Sequence, residues 1–197
     1  MKRAEHLKRA AKFAFVFFLA ACTLFGDSPP ADLENACSIV RQKPDWGRDL
    51  RRAERKWGVP VSVQMAIIWQ ESKFVARAKP PREYFFGIIP VGRVTSAYGY
   101  AQVIDGTWEE YRDANNRWIA SRDDFGDATD FIGWYVDRSQ RILGIRKSNV
   151  RDNYLAYHEG HAGYRRGNHR SKQWLIRVAN DLVERERRYA RQLRKCG

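Results

Sequence analysis

Val63-Gln64-Met65-Ala66-Ile67-Ile68-Trp69-Gln70-Glu71-Ser72-Lys73-Phe74 is the stretch on which the fold turns. Val63, Met65, Ala66, Ile67 and Ile68 lead into a single acid. At helical spacing Ile67 lies one turn before Glu71 and Ile68 slightly less, so a helix ending here carries the carboxylate at the flank of a buried stripe. A carboxyl on such a border loses hydration, and its pKa rises toward the range in which an acid donates a proton near neutrality. Taken alone, a Glu at a frayed helix end is an ordinary surface charge. What changes that reading is the company it keeps further along the chain.

Working outward, the punctuation is helical. Gly58-Val59-Pro60 breaks the chain before the Glu71 helix, and proline suits a first helical turn. Thr107-Trp108-Glu109-Glu110 has capping-box spacing and starts another helix. A third is expected over about 128–143, with Gly144 as its stop, and a fourth over about 150–157, ended by Gly160 and Gly163. Leu175, Val178, Ala179, Leu182, Tyr189 and Leu193 then recur at helical spacing through an Arg-rich segment that reads as an amphipathic surface helix. Strand signals are few; Glu83-Tyr84-Phe85-Phe86-Gly87-Ile88-Ile89-Pro90-Val91 is open between a hairpin and an irregular loop. With no internal repeats, the chain is a mainly α single domain long enough to bury a core.

The N-terminus speaks to location. Lys2, Arg3, Lys8, Arg9 and Lys12 precede an apolar run from Phe13 to Phe25. That run falls short of the roughly 20 residues of a membrane span and has the length of a signal-peptide core. It leads into Leu19-Ala20-Ala21-Cys22, which resembles a lipobox, the site at which bacterial signal peptidase II cleaves before a lipidated cysteine. The resemblance implies a signal peptide over residues 1–21, a lipid on Cys22, and an anchored tether and N-terminal segment over 22–45. The catalytic domain is then expected over 46–197. Thr23, where inner-membrane lipoproteins commonly carry Asp, implies an outer-membrane protein facing the periplasm. Removing residues 1–21 takes away five basic residues and one acid, so the formal charge falls from +13 to +9. The mature chain stays basic and suits anionic polymers or phospholipid headgroups. Nucleic acid is a poor partner for an exported chain without a groove-reading motif. With Cys22 modified, Cys37 and Cys196 remain as an even pair, open between a disulfide and two free thiols.

The motifs now bear on chemistry. Ala66-Ile67-Ile68-Trp69-Gln70-Glu71-Ser72-Lys73-Phe74 resembles the catalytic "ES" motif of soluble lytic transglycosylases with the SLT, or goose-lysozyme-like, domain. Ala97-Tyr98-Gly99-Tyr100-Ala101-Gln102 followed by Gly106-Thr107-Trp108 is similar to the family's "GLMQ…GTW" segment, and Ala156-Tyr157-His158-Glu159-Gly160 stands where the family has "AYNAG". The resemblance implies a lysozyme-like fold with a long loop or small hairpin insert, acting on peptidoglycan glycan strands. It implies cleavage of the MurNAc–GlcNAc β-1,4 bond to a 1,6-anhydro product, with Glu71 as the single general acid and base and no cofactor. It also carries Ser72, Gly99, Tyr100, Gln102, Tyr157 and His158 into the substrate site. Of these, Tyr157 would orient Glu71 and favour its protonated form, Gln102 would bond sugar groups, and Gly99 would let the backbone approach the sugar.

Two departures matter. His158 replaces the expected Asn, and Glu159 follows it, either as a second carboxylate open to lysozyme-type hydrolysis or as a surface charge beside a helix stop. The insert is long, and Tyr84, Phe85 and Phe86 either wall the groove or pack the insert. His158-Glu159-Gly160-His161 is not a zinc motif, since the second histidine would be needed at position 162, which is Ala162. Muramidase activity and non-catalytic glycan binding remain the competing functions.

Overall fold

The computed structural model describes residues 28–85, 89–93 and 95–196. The signal-peptide, lipobox and Cys22 readings lie outside the described residues, as do the side chains of Tyr84, Phe85 and Phe86. The elements run α1 (Ala36–Gln42), α2 (Pro44–Trp57), α3 (Val61–Ser72), β1 (Arg82–Phe85), β2 (Ile89–Arg93), α4 (Asp105–Asn115), α5 (Phe125–Leu143), α6 (Val150–Arg166), a 3-10 turn (Asn168–Ser171) and α7 (Gln173–Cys196). The insert is a hairpin: β1 and β2 pair antiparallel from Arg82 with Arg93 to Phe85 with Ile89, with a bulge at Glu83/Tyr84.

α3 is the centre of the molecule. Every residue from Ser62 to Ile68 is buried, which corrects the striped helix expected from the sequence. A helix apolar all round belongs in a core with neighbours on every side. Gln64 is tolerated there because its Nε2 donates to the carbonyls of Leu50 (3.2 Å) and Val59 (2.8 Å). The helix stops abruptly after Ser72, since Lys73 and Phe74 both take left-handed backbone, at φ 52° and 61°. For residues with a Cβ this costs about 1–3 kcal/mol each. Phe74 is held there by complete burial beside Trp46, 5.8 Å between ring centroids. Trp46 in turn stacks on Phe125 at 4.1 Å, with Tyr100 edge-on to both.

Around α3 the remaining helices close the body. α2 lies along α5, and α7 packs against α3, α6 and α1. Asp130 of α5 binds α2 and α4 together, accepting from Lys56 Nζ (2.9 and 3.0 Å), Trp57 Nε1 (2.8 Å) and the Tyr111 hydroxyl (2.7 Å). Cys37 and Cys196 are joined as a disulfide across 159 residues of chain. A loop this long removes about 4–5 kcal/mol of unfolded-chain entropy in the loop-closure picture. The folded body thus begins before residue 46: Ala36 and Ile39 are buried and Cys37 is bonded to the end of α7.

Helix ends differ from expectation in detail. α4 begins at Asp105 with Ile104 at its N-cap, so Thr107 lies inside the first turn and caps nothing. α5 begins at Phe125, where the Asp124 carboxylate accepts from the Asp127 N–H. Gly160 does break α6, at φ 69° and ψ 156°, but helix resumes beyond it through Gly163 to Arg166. Gly144 ends α5 in left-handed backbone as expected.

Candidate active site

The three motif segments meet at one cleft of about 410 Å³. Glu71 arrives from the end of α3, Gln102 and Val103 from the loop before α4, and Tyr157, His158 and Glu159 from the end of the first part of α6. Phe131 and Tyr135 of α5 supply the floor and Ile104 one rim. The cleft is therefore an apolar trough with acid, amide and imidazole groups converging on it, the general pattern of a small-molecule or glycan site.

Glu71 is half-buried, and desolvation pushes its pKa up to about 7. Two partners oppose that rise without cancelling it: a hydrogen bond from Tyr154 and the positive charge of Lys73. Tyr154 also takes a hydrogen bond from the Gln70 side chain, so its hydroxyl is fixed between consecutive residues of α3. Lys73 is itself fixed, with Nζ 3.1 Å from the centroid of the Trp69 ring, against which Arg185 also stacks at 3.2 Å. Burial, then the Arg185 charge, bring Lys73 down to about 8. The acid is thus poised between its two protonation states near neutral pH, with the Tyr154 hydroxyl bonded to it.

Several residues expected in the site do other work. Tyr157 lines the cleft, but its hydroxyl donates to the Ala101 carbonyl at 2.7 Å, so it ties α6 to the second motif rather than orienting Glu71. Tyr154, one helical turn earlier on the same face, makes the contact with the acid. Gly99 does not open a path to sugar. It takes φ 81°, and a Cβ there would sit 2.0 Å from the Arg122 carbonyl oxygen. Its role is close packing of the loop, whose Tyr100 N–H donates to that same oxygen at 3.1 Å. Tyr100 is 4 % exposed within the Trp46 and Phe125 cluster, and Ser72 is buried with its hydroxyl donating to Ile68 O at 3.2 Å. Neither lines the cleft. Gln102 does, at φ 47°, with its amide NH2 donating to the carbonyls of Ala78 (2.8 Å) and Gly99 (2.9 Å). Those bonds turn its side-chain oxygen into the part able to accept from a ligand.

Glu159 is neither free nor on the surface. Its side chain is 3 % exposed and lines the cleft, paired with Lys172 Nζ at 2.7 Å and His158 Nδ1 at 3.1 Å. Burial works against its charge, but the bonds from Lys172 and His158 outweigh it and keep the carboxyl below its ordinary pKa. The two carboxyls of the cleft are therefore pushed in opposite directions, one toward acid and one toward fixed anion. His158 lies edge-on to Trp174, 5.2 Å between centroids, an indole half exposed at the start of α7. His161 is turned away, stacked on Tyr135 with Nε2 3.0 Å from the Ser139 hydroxyl. Sequence reading missed Tyr154, Lys172 and Trp174. Only Tyr154 left a signal, its place three residues before Tyr157 on one helix face.

The family model for the transglycosylase SLT domain matches residues 10–196. Comparison with curated proteins returns no match. The match spans every described element from α1 to α7 and takes in all three motif segments. The chain therefore belongs to the transglycosylase SLT domain family, and its action is of the lytic-transglycosylase type on peptidoglycan.

Proposed function

We propose that the protein cleaves the MurNAc–GlcNAc β-1,4 bond with Glu71 as its single acid and base, leaving a 1,6-anhydro-MurNAc end. The observation that carries this reading is the Glu71 carboxyl, desolvated in the cleft and pushed up to about 7. In the first step the protonated Glu71 gives its proton to the glycosidic oxygen as the bond to the MurNAc anomeric carbon breaks, and the GlcNAc 4-hydroxyl leaves. The MurNAc N-acetyl oxygen attacks that carbon from the substrate itself, so no protein nucleophile is needed. In the second step the Glu71 carboxylate takes the proton of the MurNAc 6-hydroxyl, whose oxygen bonds to the anomeric carbon and displaces the acetamido oxygen. Glu71 ends protonated, ready for another cycle. Tyr154 holds the carboxylate between the two steps, and Gln102 offers its oxygen to a sugar hydroxyl or amide. Mass spectrometry of digested sacculi tests the reading: anhydro-MurNAc ends are expected, and a digest containing only reducing ends overturns it.

A hydrolytic, muramidase reading has one observation in its favour, that Glu159 lines the same cleft as an anion. Its pairing with Lys172 and His158 weakens it as a base or nucleophile, so the transglycosylase reading is preferred. A non-catalytic glycan-binding role would leave turnover unchanged in Glu71→Gln. We further propose that Cys22 carries a lipid and holds the protein at the outer membrane, facing the periplasm. The intact mass of the chain recovered from envelopes tests this, because acylation at a new N-terminal Cys22 adds a diagnostic increment.

A further inference from the structure

The segment nearest the N-terminal edge of the body is fastened, residue after residue, to the end of α7. The Tyr189 hydroxyl donates to the Leu33 carbonyl, Gln192 Nε2 to the Glu34 carbonyl (3.1 Å), and the Ala36 N–H to Gln192 Oε1 (2.8 Å). The disulfide then locks Cys37 to Cys196. Whatever precedes residue 28 thus enters the body beside the C-terminal end of this helix.

That end is unusually basic. Arg187, Arg188, Arg191, Arg194 and Lys195 fall between 187 and 195 without an acid among them. Glu184 takes Arg187 at 2.8 Å, and Glu34 takes Arg188. Arg191, Arg194 and Lys195 are exposed, have no acidic partner among the described residues, and border one shallow depression with Arg188 and Gln192. The helix macrodipole favours a cation or two in a last turn, by about 0.3–1 kcal/mol each. Arg187 and Arg188 are already paired; Arg194 and Lys195 in that last turn, with Arg191 a turn earlier, leave a positive patch with no acid to offset it among the described residues. The side chains stand on an exposed helix end with no enclosing wall, a shape suited to a plane of headgroups rather than to one small anion. The cleft rim lies toward the other end: Lys172 and Trp174 contact Glu159 and His158 where α7 begins. From Trp174 to Cys196 a helix rises roughly 33 Å.

We propose that the basic C-terminal end of α7 is a docking surface for an anionic phospholipid bilayer, next to the point where the N-terminal chain enters the body. The sidedness rests on the Cys22 anchor proposed above, while the affinity for headgroups does not. Cys22 is eleven residues before Leu33, so a lipid there keeps this end within roughly 40 Å of the membrane even with the tether fully extended. The cleft is then held out toward the wall by the length of α7.

The test uses a chain starting at residue 22 with Cys22→Ser, which retains every described element and the disulfide but cannot be acylated. Co-sedimentation is measured with phosphatidylcholine vesicles alone and with about a third phosphatidylglycerol, at low and high salt. Binding is expected only to the anionic vesicles and is expected to weaken with salt. Combined Arg191→Gln, Arg194→Gln and Lys195→Gln should weaken it on the order of 100-fold. A control with the same charge loss elsewhere, Arg55→Gln, Arg166→Gln and Arg177→Gln, should change it only a few-fold. Equal binding to both vesicles, an unaffected triple variant, or an equal loss in the control overturns the proposal. So does a triple variant that loses sacculus binding but keeps vesicle binding. Because acylation plays no part here, failure of the Cys22 reading shows up separately, as an unmodified mass.

Discussion

Glu71 and Asp130 are carboxyls on the two core helices α3 and α5, and the fold treats them in opposite ways. Burial opposes ionisation at both. At Asp130 the hydrogen bonds from Tyr111, Lys56 and Trp57, with the Lys56 charge, outweigh burial and hold the carboxyl below its ordinary range. At Glu71 the Tyr154 bond and a more distant Lys73 charge do not, and the pKa rises to about 7. The difference lies in donor count and in a directly bonded cation, set against a burial cost that prevails at Glu71 and is outweighed at Asp130. Full satisfaction makes a carboxylate a structural joint, while partial satisfaction leaves it able to exchange a proton.

The comparison breaks most visibly if Glu71→Gln keeps turnover. If Glu71 is the general acid proposed above, its loss should cost at least about 10²–10⁴-fold in turnover, with glycan binding retained. Next comes Asp130→Ala, expected to lower stability by roughly 3 kcal/mol by stranding the Tyr111 and Trp57 donors. Activity per folded molecule should be unchanged, and urea melts with assays at matched folded fractions check both.

The pH dependence of stability sharpens the contrast further. Glu71 is raised in the folded state from 4.5 to about 7, so its favourable contribution is complete below about 4.5 and is lost as pH climbs through about 7. Wild type should therefore fall behind Glu71→Gln by up to roughly 3 kcal/mol between those limits. Asp130 runs the other way: its contribution is present above the ordinary Asp range and disappears as pH falls through its lowered folded value. Parallel melts of wild type, Glu71→Gln and Asp130→Asn across pH would show two differences of opposite slope. The same slope in both would collapse the distinction.

The smallest effect concerns Tyr154. Its hydroxyl favours the charged form of Glu71, so Tyr154→Phe should raise the Glu71 pKa. The alkaline limb of kcat/KM then moves to higher pH while the peak rate drops modestly. A limb that moves down, or stays put while Tyr157→Phe moves it, would reassign the orienting tyrosine.

Much of this was legible from local pattern. Gly144 ends a helix because a glycine after an apolar-periodic run can take left-handed backbone, and Gly160 interrupts one by combining a positive φ with an extended ψ that essentially only glycine adopts. Glu71 was legible because an apolar run, 65–69, leads up to it and the two other motif segments follow in order. That run also carried a message read only in part: Val63 and Met65 through Ile68 cover every face of a helix, which marks a core helix rather than a striped one. Asp130 was invisible, since an Asp within a helix looks the same whether or not Lys56, Trp57 and Tyr111 await it from 19 to 74 residues away. Gly99 was read toward a ligand because its true neighbour, the Arg122 carbonyl, lies 23 positions on.

The sequence by itself determined the helical class and the order of three motif segments, and it singled out Glu71 as the candidate acid, because helical periodicity and short motifs are local properties of the chain. Tertiary structure alone decided that Tyr154 rather than Tyr157 holds Glu71, and that Glu159 is tied down by Lys172. It also decided that the two ends of the folded body are locked side by side. Proton affinity follows from which donors and charges arrive within a few ångströms, and only the packing of distant segments brings them there.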